Sequence, residues 1–138
     1  MGADNMERHW IGYTLDVGSP STDDAIVAGA YAYLPRKFVV ESAVLVNGAT
    51  LAAGEADYVI LQLKAGSTIV AEINTRAAHE NGLVADVAKA MNVVTTADAN
   101  VLAAGTTLTV VYDETDAGTN VALTSAKVIV HGWWKESA

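Results

Sequence analysis

The run Ala99-Asn-Val-Leu-Ala-Ala-Gly-Thr-Thr-Leu-Thr-Val-Val-Tyr112, followed after a turn by Val121-Ala-Leu-Thr-Ser-Ala-Lys-Val-Ile-Val130, decides how this chain is read. From Thr106 to Tyr112, threonine alternates with apolar residues after a small glycine turn, the period of a half-buried strand. Asp113-Glu-Thr-Asp-Ala-Gly118 is an acidic turn, built from residues that favour turns because their side chains bond the local backbone. The closing strand is predicted over 121–134. There Ala126, Val128, Val130 and Trp134 share one face, and Lys127, Ile129, His131 and Trp133 share the other. Both tryptophans fit the interior only if the strand is covered on both sides, so one of them is expected at an edge or an interface.

The same alternation recurs upstream. Ile11, Tyr13, Leu15 and Val17 fall on one face of a predicted strand 10–17, with Trp10, Gly12, Thr14 and Asp16 on the other. Gly18 to Asp24 is a loop rich in breakers. Ala25 to Leu34 is small and apolar, with Tyr31 and Tyr33 on one face, and Pro35 ends it. Residues 38–46 are rich in strand formers, and Asn47-Gly48 is a turn signal. Residues 56–64 and 67–75 flank Ala65-Gly66 and read as a hairpin, with Leu61, Leu63, Ile69, Ala71 and Ile73 inward. Between Ala77 and Asn92, Leu83, Val87 and Met91 recur every four residues, so this segment reads as a short helix or a loop. The predicted core comprises Leu61, Leu63, Ile69, Ile73, Leu108, Val110, Val128 and Val130.

Seven or eight short strands, turns at about ten-residue spacing and less than about a fifth helix indicate an all-β sandwich or barrel. An eight-stranded, antiparallel jelly-roll-like β-sandwich fits the count best. With 138 residues, the chain is expected to form one domain over 9–138, preceded by a flexible N-terminal arm, residues 1–8. A domain of this size needs no metal or disulfide to be stable.

Composition narrows the function. There is no cysteine, which excludes thiol chemistry and thiolate-bound zinc. Sixteen acids against eight bases leave a net charge of −8. Phosphate contacts dominate nucleic-acid binding, so neither nucleic acid nor an anionic membrane surface is an expected partner. The polar, acidic start is not that of a signal peptide. The charged fraction is 17%, below the usual ~25%. Few charges coat the surface, which is either dressed in alanine and threonine or covered in part by a partner.

No constellation for chemistry emerges. His9, His79 and His131 lie more than fifty residues apart. No nucleophile elbow, phosphate-binding glycine loop or regular calcium loop occurs. Asp113, Glu114 and Asp116 read as turn residues rather than as ligands or paired catalytic acids. The expectation is a protein without catalytic residues, cofactor or metal.

Taken together, the chain resembles the small jelly-roll head decoration (cement) proteins of tailed bacteriophages. The resemblance rests on the 101–112 run, the acidic turn 113–120 and the closing strand 121–130. Phe38-Val-Val-Glu-Ser-Ala-Val-Leu-Val46 and Gly66-Ser-Thr-Ile-Val-Ala-Glu72 also fit, so that it extends over about residues 37–134. It implies a homotrimer on the outer surface of the virion head, at three-fold positions, clamping neighbouring major capsid subunits. Arg8, Trp10, Arg36, Lys37 and Trp133 are the candidate capsid or subunit contacts. Chain ends often lie close together, so Trp10 and Trp133 are expected to form one apolar patch with Arg8 beside it and Arg36 and Lys37 nearby. The competing reading is a carbohydrate- or receptor-binding module of head-fibre or lectin type, in which Trp10, Trp133 or Tyr33 stacks on a sugar.

Overall fold

The structure, a computed structural model, describes residues 9–20, 26–54, 58–76, 82–115 and 122–135. The described residues form ten strands: β1 (His9–Gly18), β2 (Tyr31–Leu34), β3 (Phe38–Val46), β4 (Tyr58–Ala65), β5 (Thr68–Asn74), β6 (Lys89–Ala90), β7 (Asn92–Val93), β8 (Val101–Leu102), β9 (Thr106–Thr115) and β10 (Ala126–Trp134). Their helical content is a single 3-10 turn, Thr96–Asp98. One sheet runs β1-β10-β3-β6, with β8 also on β3. The other runs β2-β9-β4-β5-β7. Every pairing between strands is antiparallel. Apart from the β4–β5 hairpin, successive strands cross between the sheets, and the last two long strands insert between early ones, β9 between β2 and β4 and β10 between β1 and β3. This is jelly-roll connectivity, and the two runs that opened the sequence reading are the inner strands that knit it.

Alternation places the core. On β10, Ala126, Val128 and Val130 are buried while Lys127, Ile129 and His131 are exposed. Leu108, Val110 and Tyr112 of β9 and Val59, Leu61 and Leu63 of β4 face them from the other sheet. The hairpin between β4 and β5 turns through Gly66-Ser67. Gly66 has φ +63°, the left-handed region where a side chain is disfavoured. One predicted core residue moves. The register slips between Leu63 and Lys64, so that Leu63 opposes Ala71 and Lys64 opposes Ile69. The bulge puts Val70 and Ala71 both in the interior and leaves Ile69 half-buried.

Three local readings gain detail. Asn47-Gly48 marks the bend that ends β3, from which the chain passes to the other sheet rather than into a hairpin. Asn47 is instead buried and ties loops together: its Nδ2 donates to the Ala49 carbonyl at 2.7 Å and its Oδ1 accepts from the Thr124 amide at 2.7 Å. Its carbonyl accepts from the Asp86 amide at 2.8 Å. From Ala25 to Leu34, Tyr31–Leu34 is strand and Ile26–Ala30 is turn, while residue 25 lies outside the described residues. Over 82–92 there is no helix. Leu83 bridges Leu51, and 89–90 and 92–93 are short strands on different sheets. Residues 77–81 lie outside the described residues, as do residues 1–8 with Arg8 and residues 116–121; of the predicted acidic turn, residues 113–115 belong instead to β9 and pair with β4.

Candidate interaction surface

The outer face of the β1-β10-β3 sheet is set by register. Trp10 stands opposite Trp133, Gly12 opposite His131, Thr14 opposite Ile129 and Asp16 opposite Lys127. On the far side of β10, Trp133 neighbours Val39, His131 neighbours Ser42 and Ile129 neighbours Val44. The chain's first described strand and its last therefore bring their aromatic ends together, with His9 opposite Trp134. Trp10 and Trp133 meet edge to face, with ring centroids 5.2 Å apart and planes at 67°. Trp10 also stacks on His131 at 5.0 Å and 14°. His131 is diagonal to Trp10 across the strand pair, and the intervening position is Gly12, which has no side chain to block the indole. Trp10 remains 49% exposed, so the cluster keeps a broad open aromatic surface.

A close strand contact supports this cluster. Register shifts between His131, opposite Ser42, and Gly132, opposite Val40, so β3 carries a bulge at Glu41 against β10. A Cβ on Gly132 would lie 1.9 Å from the Val39 carbonyl oxygen, so only glycine fits. Trp134 turns to the inner side and meets Phe38 at 5.3 Å and Tyr13 at 6.2 Å, with Tyr13 and Phe38 at 5.6 Å from each other. Burial in this cluster pushes the Tyr13 phenol above its ordinary pKa of 10.0.

The five candidate contacts therefore separate. Trp10 and Trp133 form one outward patch, as the expected nearness of the chain ends implied. Arg36 lies with the inward ring, its guanidinium carbon 5.8 Å from the Trp134 centroid. Lys37 is exposed, and its carbonyl accepts from the Lys135 amide at 2.8 Å. Arg8 lies outside the described residues. The residue the sequence reading missed is His131. Strand alternation placed it beside Trp133, but its stacking partner follows only from the Gly12–His131 register.

Elsewhere on this face, Asp16 and Lys127 pair at 3.8 Å and are both well exposed, an arrangement that contributes little stability. Among the described residues, no three His, Asp or Glu side chains stand close enough to hold a metal. The surface is suited to contact by aromatic packing. No protein-family model matches the chain, and no curated protein or solved structure matches it.

Proposed function

We propose that this chain is a non-catalytic structural protein of a tailed-phage virion. It decorates and stabilises the icosahedral head from outside by docking as a homotrimer on major capsid subunits at three-fold positions. The observation that carries the reading is the Trp10–His131–Trp133 cluster on the outer face of a rigid sheet. Exposed aromatic anchors held in place before binding are the usual source of interface affinity. The resemblance of residues 37–134 to head decoration proteins supplies the partner. A module that binds only the assembled shell stabilises that shell by mass action.

The test is co-sedimentation with undecorated heads of the phage that encodes the chain. Wild-type protein is expected to saturate the shell. Trp10→Ala removes an exposed ring without touching the core, so it is expected to keep the wild-type circular dichroism spectrum. Loss of an anchor of about 2 kcal/mol weakens binding roughly thirtyfold. Full occupancy by Trp10→Ala at limiting protein concentration would reject this face as the contact.

A further inference from the structure

The opposite outer face, on the β2-β9-β4-β5-β7 sheet, has a different chemistry. Register lays it out in rows. Tyr33 stands beside Thr107, and Tyr31 beside Thr109 and then Lys64. The next row runs Val111, Gln62, Glu72 and Asn92, and the one after holds Asp113, Ile60 and Asn74. Tyr31 and Tyr33 are 64% and 58% exposed. They are two residues apart on an edge strand, so their rings are carried about 7 Å apart. In the central row, Gln62 Nε2 donates to Glu72 Oε2 at 2.6 Å. That bond holds an amide and a carboxylate side by side on this half-exposed face, each with a further oxygen able to accept a hydrogen bond.

The neighbours of the two tyrosines decide the ligand class. In register they are threonine hydroxyls rather than apolar side chains, so the rings do not belong to a hydrophobic protein-docking patch of the kind on the other sheet. These rows hold one cation, Lys64, and two anions, Glu72 and Asp113, which leaves them slightly negative. A polyanion would find too little positive charge there. A ligand that fits presents flat C–H faces to the rings and hydroxyl edges to the acceptors. We infer that this face binds neutral, hydroxyl-rich carbohydrate, with Tyr31 and Tyr33 stacking on sugar rings and the Gln62–Glu72 pair accepting hydrogen bonds from adjacent hydroxyls. From β2 to β5 the surface is about 14 Å wide, three interstrand steps, so it accommodates an oligosaccharide better than a single sugar. The site is independent of the capsid reading, because it lies on the other sheet.

The full chain is titrated by calorimetry with neutral gluco-, manno-, galacto- and N-acetylglucosamine oligosaccharides. At least one is expected to bind saturably. Tyr31→Ala and Tyr33→Ala, both exposed and so compatible with the fold, are each expected to weaken that binding about tenfold, a change of about 1.4 kcal/mol. Glu72→Gln is expected to weaken it less, since an amide still presents an acceptor oxygen. Trp10→Ala is expected to leave the sugar affinity unchanged while reducing capsid binding, which separates the two faces. Absence of saturable binding to all four series up to millimolar concentration overturns the inference. So does binding that survives both tyrosine substitutions, or binding that is lost in Trp10→Ala.

Discussion

Two glycines on facing strands have opposite roles. At Gly132 a methyl group would meet the Val39 carbonyl oxygen at 1.9 Å, whereas at Gly12 the nearest atom is the Val130 oxygen at 3.7 Å. Gly132→Ala is therefore expected to destabilise by on the order of 1–3 kcal/mol in denaturant unfolding, the usual cost of overpacking. Gly12→Ala is expected to stay within about 0.5 kcal/mol of wild type. Equal effects at the two positions would contradict the close approach of β10 to β3. Tyr13 makes a second residue-scale prediction. Below about pH 10 its phenol is protonated in both the folded and unfolded chain, so it adds no pH dependence. Above that, the unfolded chain loses the proton first, because burial raises the folded pKa, and stability falls as pH rises. Tyr13→Phe is expected to flatten the decline in melting temperature above pH 10, and an unchanged slope would show that Tyr13 does not contribute. Alternation put Trp10 on the outer face and Trp133 beside His131 but left open which of Trp133 and Trp134 is covered. It was not enough to find His131 as the stacking partner or Gly132 as the point of close approach, because both depend on which residues face each other across strands far apart in the chain.

At the scale of elements, period-two patterning located the long strands well and failed where strands are short or irregular. β4 and β9 appear within a few residues of their predicted positions, since each has one face against the core, whereas β10 begins at Ala126 rather than at residue 121. Ile69 was misplaced because a bulge breaks the period. No local signal marks a bulge whose extra residue is itself apolar. The contrast is measurable. Leu61→Ala is expected to cost on the order of 2–5 kcal/mol, as for a fully buried leucine. Ile69→Ala, at a half-buried site, is expected to cost clearly less, and reversed magnitudes in urea unfolding would mean that the β4–β5 register is wrong. The fourfold spacing of Leu83, Val87 and Met91 imitated a helix. In the fold, Leu83 is buried at a bridge to Leu51 and the Met91 amide donates to the Ala43 carbonyl at 2.8 Å, while Val87 is exposed. This stretch then leaves one sheet edge to pair with the other at β7 and returns at β8. A segment that changes sheets every few residues carries no single period.

For the whole molecule, the all-β class and sandwich architecture were legible from strand count and turn spacing. The strand order was expected only as a type. It rests on β9 and β10 inserting between strands from the first half of the chain, which a linear pattern does not display. The finished sandwich presents two unlike outer faces, one aromatic and one polar with exposed tyrosines, and in the proposed function the aromatic face is the one that meets the capsid. The most direct measurement is a cryo-electron microscopy reconstruction of undecorated heads mixed with the purified chain. The account predicts density for three copies at three-fold positions, with the β1-β10-β3 sheet and Trp10 turned toward the shell. Bare three-fold positions at saturating protein, or copies seated with the β2-β9-β4 sheet against the capsid, would contradict it.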